Sequence, residues 1–279
     1  MRIVISGGLG NQMFQYALYL ALKHKGRDVS LDCSLYSYIK MHNGYELEKC
    51  FGFKKLDQKF IRWNLLKLRL ALKSKMKTVV YSDLNYFDDK VFDTNCKYLN
   101  GYWQSEKYFV QIENKIREAF VFKHIDNVNA DIATEIANSL SIALHIRRGD
   151  YLGNSIYSGV CTEDYYTKAV DLMLSKMGTK ENIKIYIFTD DIKFSSKFIE
   201  KILIPCKLVK INKNEDSYKD MYLMSQCKHN IIANSSFSWW GAWLNSNPNK
   251  IIIAPQNWFG GSFEGHHKDI VPESWTKIK

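Results

Sequence analysis

The 279-residue chain has no Cys-x-x-Cys pair, and its six cysteines (Cys33, Cys50, Cys96, Cys161, Cys206, Cys227) show no zinc-ligand spacing. They read as the reduced thiols of a cytosolic protein, not as a disulfide framework. No apolar run reaches the roughly eighteen residues that span a bilayer. Ile3-Val4-Ile5 starts an apolar stretch, but Ser6-Gly7-Gly8 interrupts it and no small-residue cleavage site follows, so it is not a signal peptide. No two aspartates are separated by a single residue, so the Asp-x-Asp pattern that holds a divalent ion against a diphosphate is missing. Internal repeats and low-complexity tracts are absent too.

What is present points to a globular protein. Hydrophobic residues make up 46% of the chain, enough for real cores and too many for disorder. The length favours two domains, and a helical pattern over Asp131–Ser139 leading into a strand places the boundary near 135: one domain over 1–135, a second over 136–279. The net charge of +10 calls for acidic partners: nucleotide phosphates, nucleic acid or an anionic membrane face.

The first 25 residues predict a strand (Arg2–Ile5), a glycine turn (Gly7-Gly8-Leu9-Gly10) and a helix carrying Met13, Tyr16, Ala17 and Leu20 on one face. A short strand over Asp28–Asp32 completes a Rossmann-like opening. Close glycines and free amides at the helix start favour an anion there, although the pattern is not GxGxxG. In the second half, strands are predicted at Ile142–Leu144, Ile183–Phe188, Leu208–Ile211, His229–Ala233 and Ile251–Ala254. A helix is expected after Asp191 and another over Ser217–Cys227. Strands alternating with helices imply a parallel sheet covered on both faces, hence an α/β fold.

The most informative stretch is Leu144-His145-Ile146-Arg147-Arg148-Gly149-Asp150-Tyr151. Neighbouring strand residues point to opposite faces, so adjacent arginines make sense where the backbone turns at Gly149 and both guanidiniums converge on one anion. Their planar forks match phosphate oxygens bidentately. A surface ion pair between Arg148 and Asp150 is the plainer alternative.

His145 to Tyr151 resembles the HxRRGDY signature of the α-1,2-fucosyltransferases of glycosyltransferase family 11. Three further segments resemble that family in order: Gly7 to Ala17 (GGLGNQMFQYA), Phe188-Thr189-Asp190-Asp191, and Asn234 to Trp243 (NSSFSWWGAW). The resemblance implies a GT-B-like fold, two Rossmann-like domains facing across a cleft, with the acceptor on the first domain and the donor on the second. It also implies inverting transfer of L-fucose from GDP-β-L-fucose to the 2-hydroxyl of a galactose. Without Asp-x-Asp, no metal or other cofactor is expected, and Arg147 and Arg148 become the groups that stabilise the departing diphosphate.

Other roles follow from the resemblance and from position. In related fucosyltransferases the motif histidine pairs with an aspartate at guanine, which marks His145 and Asp190 as base contacts. Asn234, Ser235 and Ser236 follow a strand and precede a helix, where they either cap that helix or bind phosphate. Gly10 is a donor-binding candidate at the first helix start. Asn11 matches an asparagine at the reacting centre of protein O-fucosyltransferases and is expected to position acceptor or sugar. Asp150 is the nearest candidate base, or else a holder of Arg148, and a weak or substrate-assisted base is the alternative. Asp191 reads better as a helix N-terminal charge, and Trp239, Trp240 and Trp243 better as core than as a carbohydrate platform. A transferase using another donor, such as GDP-mannose, or another linkage is the runner-up. A basic nucleic-acid-binding protein is the distant alternative, opposed by the absence of any RNA-module signature.

Residues 54 to 77 hold nine Lys or Arg against one acid, Asp57, which accounts for eight of the net +10. Phe60, Ile61, Leu65, Leu68, Leu72 and Met76 share a helical face with Lys59, Arg62, Arg69, Lys73 and Lys77 beside it. Such a segment either lies on an anionic membrane or is a core helix with a solvated rim. The family's animal members carry a membrane anchor, whereas this chain starts directly at the catalytic fold. The expectation is therefore a bacterial cytoplasmic enzyme, peripheral on the inner face of the membrane only if the basic segment takes the first of these two roles. Its galactose-terminated acceptor would be presented on a lipid, and nucleic acid is not an expected partner.

Overall fold

The computed structural model describes residues 1–38, 42–54, 80–83, 86–149, 151–179, 181–261 and 268–279. The basic segment from Lys55 to Lys77 and Asp150 therefore lie outside the described residues. The chain separates into two compact units, Met1–Lys123 and His124–Lys279. This division falls earlier in the chain than the boundary expected near 135. The reason is the helix Asn127–Ala137, capped by Asp126, whose Ile132 and Ile136 pack with Tyr186, Phe188, Leu223 and Met224 of the second unit.

The first unit is built on a four-stranded parallel sheet of β1 (Arg2–Val4), β2 (Ser30–Asp32), β3 (Val80–Ser82) and β4 (Tyr98–Asn100) in the order β2-β1-β4-β3. Helix α1 (Leu9–His24) follows β1 and buries Met13, Phe14, Ala17, Leu18, Ala21 and Leu22. Met13 and Ala17 were expected on that face. Tyr16 and Leu20 are only half-buried, because two glutamines, Gln12 and Gln15, take fully buried places instead. Two short helices, α2 (Leu47–Phe51) and α3 (Glu113–Ala119), complete the described regular helix of this unit.

The second unit carries a six-stranded parallel sheet: β5 (Leu140–Ile146), β6 (Ile183–Thr189), β7 (Cys206–Val209), β8 (His229–Ile231), β9 (Ile252–Pro255) and β10 (Thr276–Ile278). Its order is β10-β9-β8-β5-β6-β7. The chain winds outward from β5 in one direction, returns, and winds outward from β8 in the other. This is the doubly wound order, whose switch point lies between β5 and β8.

Both faces of this sheet are covered, as parallel sheets require. On one face Ile142, Leu144, Ile146, Ile185 and Ile187 pack under Tyr165, Tyr166, Ala169, Val170 and Met173. Those five belong to α5 (Glu163–Met177), a helix that sequence reading missed although Thr162 caps its first turn. On the other face Ala143, Tyr186 and Phe188 meet α4 (Asn127–Ala137) and α7 (Tyr218–Gln226). Helices α6 (Ile192–Ile199) and α8 (Ser236–Leu244) follow β6 and β8. Trp239, Trp240 and Trp243 are core residues, at most 4% exposed, and Trp239 donates its indole N–H to the Ile270 carbonyl at 2.7 Å. Among the described residues, no helix is long and apolar enough to cross a membrane.

Candidate functional site

Three turns leave the C-terminal edge of the second sheet side by side. His145 and Ile146 pair in register with Phe188 and Thr189, and Leu144 pairs with Ile231. Strand alignment thus brings Arg147–Gly149, Asp190–Asp191 and Ile232–Ser235 together at the switch point, where open α/β sheets bind ligands.

Asp190 organises the arginine turn. Its Oδ1 accepts the Arg148 amide at 2.8 Å, and its Oδ2 accepts the Gly149 amide at 3.2 Å and pairs with Arg147 Nη1 at 3.0 Å. Gly149 is required by this packing, because a Cβ there would stand 2.8 Å from Asp190 Oδ2. Arg148 Nε donates to Asp191 Oδ2 at 3.2 Å and its guanidinium lies 3.9 Å from the Phe194 ring centroid; the alternative pairing with Asp150 falls on a residue outside the described ones. Asp191 meanwhile caps α6, accepting the Phe194 amide at 2.9 Å, so the helix-terminal reading of this residue holds. These ion pairs are partly open to water. They add little to stability and matter chiefly for where they hold the guanidiniums.

Arg147 also sits over Tyr151, 5.4 Å from its ring centroid, and Tyr151 Oη donates to the Asn234 carbonyl at 3.3 Å. Sequence reading quoted Tyr151 within the motif without giving it this bridging part. Tyr166, from α5, accepts the Arg147 amide on its hydroxyl at 3.3 Å. The arginine turn is thereby tied to both neighbouring turns.

His145 is 6% exposed. Burial first, and then the Arg147 charge, push its pKa down to about 3, with Asp190 opposing, so the imidazole is neutral. Its Nδ1 is buried without a hydrogen-bond partner, and so is Oδ1 of Asn234. Orphaned polar atoms in a folded interior call for a reason, and a ligand is one. Asn234 Nδ2 is occupied, donating to the carbonyls of Trp258 (3.1 Å) and Tyr157 (3.3 Å). Ser235 is the residue preceding α8, but its side chain makes no capping bond. Ser235 is buried and Ser236 half-buried.

Gly10 and Asn11 lie in the first unit, at the start of α1, with Gly10 buried and Asn11 half-buried. Gly7 adopts φ +79°, and its carbonyl accepts from Gln12 Nε2 at 3.0 Å and from Tyr36 Oη at 2.6 Å. Asn11 Oδ1 accepts Gln104 Nε2 at 2.7 Å. Glu46 hydrogen-bonds the Leu9 amide and Asn43, and burial raises its pKa. Sequence reading found neither Gln104 nor Tyr36, which stand far from the glycine turn in the chain.

A doubly wound parallel sheet thus carries two arginines and a buried neutral histidine at its switch point, where open α/β sheets bind ligands. The sequence profile of glycosyl transferase family 11 matches residues 1–279, and the chain belongs to that family. It is a glycosyltransferase. An alpha-1,2-colitosyltransferase of Escherichia coli is 33% identical across 99% of this chain and 97% of its own length. The O-antigen biosynthesis glycosyltransferase WbnK of Escherichia coli is likewise 33% identical, across 98% of this chain and 99% of its own. In fold, the chain is similar to the crystal structure of fucosyltransferase NodZ from Bradyrhizobium, with a TM-score of 0.50 at 13% identity, covering 86% of this chain and 91% of that one.

Proposed function

We propose that the protein transfers L-fucose from GDP-β-L-fucose to the 2-hydroxyl of a terminal galactose, with inversion and without a metal ion. The observation that carries the reading is the cluster at the β5–β8 switch point: Arg147 and Arg148 beside the buried, neutral His145. In this reading the guanidiniums take up the charge that develops on the leaving diphosphate, helped by Ser235, Ser236 and the amides that follow Ala233. His145 Nδ1 and Asp190 meet the guanine edge. Gly10 serves the donor and Asn11 positions the acceptor or the sugar, in the GT-B arrangement implied by the family resemblance, and Asp150 is the proposed base. The alpha-1,2 linkage in the name of the Escherichia coli colitosyltransferase supports the linkage chosen here.

The same name favours a second reading. Colitose is L-fucose without its 3-hydroxyl, so a site built for one sugar differs from a site for the other by the partners of a single hydroxyl. The O-antigen relative supports a glycan acceptor. We place that acceptor on a lipid at an anionic leaflet, approached through the basic residues 54–77, each contributing about 1 kcal/mol near the surface.

Purified enzyme offered GDP-fucose, GDP-colitose and GDP-mannose with a set of galactosides decides between these readings. Fucose on the galactose 2-hydroxyl, seen by NMR of the product and formed equally in excess EDTA, is the expected result. Transfer only from GDP-colitose selects the second reading. A rate that collapses in EDTA and returns with Mg²⁺ or Mn²⁺ overturns metal independence.

A further inference from the structure

We infer that Tyr102 is the platform on which the acceptor sugar stacks; the inference rests on the galactoside reading above and names a residue for it. In the first sheet β1 and β4 are parallel hydrogen-bonded neighbours, so the turns that follow them leave the same edge of the sheet side by side. The turn after β1 carries Gly7 to Asn11, and the turn after β4 carries Gly101 to Gln104. At that point three residues converge. A Cβ on Gly7 would stand 2.8 Å from Asn11 Nδ2, 3.1 Å from Asn11 Cβ and 3.2 Å from Tyr102 Cε1.

Tyr102 is 41% exposed, while the adjacent Trp103 is fully buried. The backbone that presents this ring is held from two sides. Asp83 Oδ2 accepts both the Tyr102 amide (3.1 Å) and the Trp103 amide (2.7 Å). Gly101, at φ +152°, passes so close to Asp83 that a Cβ on it would meet Asp83 Cβ at 2.0 Å. Its carbonyl accepts Gln15 Nε2 at 2.8 Å. An exposed aromatic ring on so constrained a turn is a presented surface, the preorganised kind that binding sites use.

Asn11 and Gln104 form an amide pair at 2.7 Å in the same pair of turns, and the Asp83 carboxylate there is engaged by the Tyr102 and Trp103 amides. An apolar ring with fixed amides at its side suits a ligand that has one apolar face and a rim of hydroxyls. A pyranose is such a ligand. Galactose suits it better than glucose, because its axial 4-hydroxyl leaves the carbon-bound hydrogens at positions 3, 4 and 5 together on the opposite face. Stacking there holds the sugar while the amides receive its hydroxyls.

Steady-state kinetics with a galactoside and a matched glucoside acceptor, together with calorimetry of GDP, test the assignment. Tyr102→Ala should raise KM for the galactoside roughly tenfold or more, lower the galactoside-to-glucoside ratio of kcat/KM, and leave GDP affinity at the wild-type level. Tyr102→Phe keeps the ring and should restore KM to within about twofold. If Tyr102→Ala does not fold, Tyr102→Leu reads the same loss with the bulk retained. An unchanged galactoside KM in the Ala or Leu variant overturns the inference while leaving the galactoside reading intact. So does a loss of GDP affinity in its place, or a Phe variant as damaged as the Ala variant. Wild-type enzyme that glycosylates no galactoside overturns both.

Discussion

The two sheet edges differ in the kind of group they present, although both lie at the C-terminal ends of neighbouring parallel strands. At the β5–β8 edge, guanidiniums and carboxylates meet within hydrogen-bond distance of one another beside a buried imidazole. At the β1–β4 edge, glycines, primary amides and tyrosines do the same, with hydrogen bonds from Gln12, Gln15, Tyr36 and Gln104 closing the turns. Under the proposed function, one edge takes an anion whose charge grows during reaction and the other a neutral polyol. The fold supplies the position, and the residues in the two turns supply the chemistry.

The strongest way to break this contrast is at Arg147. Arg147→Ala should lower turnover on the order of 10²- to 10³-fold, and Arg147→Lys should recover only part of it because the bidentate fork is lost. Arg148→Ala should cost less, since Arg148 is anchored to the α6 start through Asp191 and Phe194. Turnover near wild type in both Ala variants would remove the anion from this edge.

Asp190→Asn should come next, weakening GDP binding by roughly tenfold to a hundredfold. Calorimetry with GDP, ADP and UDP sharpens the interpretation. A preference for GDP that collapses assigns guanine to Asp190, whereas an equal loss for all three assigns the residue to holding the arginine turn alone.

A matched pair of glycines then separates the two edges. Gly149→Ala should push Asp190 away and weaken GDP by about tenfold, because the added Cβ would meet its carboxylate at 2.8 Å. Gly7→Ala, at φ +79° and 2.8 Å from Asn11 Nδ2, should slow sugar transfer while GDP affinity stays put. GDP affinities that fall equally in the two variants would abolish the division of labour.

The smallest effect is in the pH dependence of stability. His145 titrates near 6.5 when unfolded and near 3 when folded, so between those values only the unfolded chain holds the proton. Its contribution is complete above about pH 6.5 and falls as pH drops towards 3. Urea midpoints should decline from pH 7 to pH 5, less steeply in His145→Gln. Identical slopes would show that the imidazole is not buried as described.

Much of the charged edge was legible in the sequence, because its residues lie within a few positions of apolar strand runs. Ile142–Leu144 and Ile183–Phe188 announced β5 and β6, and parallel alignment then placed Arg147 beside Asp190. The neutral edge was legible only on its β1 side, where the strand, the glycine turn and the start of α1 were read from the first 25 residues. Its strands β3 and β4 have three residues each, too few to show a period, and the partners of Gly7 and Asn11 come from Tyr36, Tyr102 and Gln104, which only tertiary folding brings near. Helix α5 was missed although Thr162 caps it and its buried residues recur at helical spacing. The unit boundary was misplaced because Asp126, the true start of its helix, was passed over for the apolar residues further on.

The arginine–carboxylate pairs also bear on how the enzyme lets go. Arg147 and Arg148 have Asp190 and Asp191 as partners. Under the proposed function, an arriving diphosphate exchanges one set of oxygens for another instead of meeting bare cations. The reverse exchange stands ready when transfer is done, since the carboxylates can reclaim the guanidiniums as the spent nucleotide departs. Part of the attraction is given up on entry, and in return the exit is not a climb out of a deep electrostatic well.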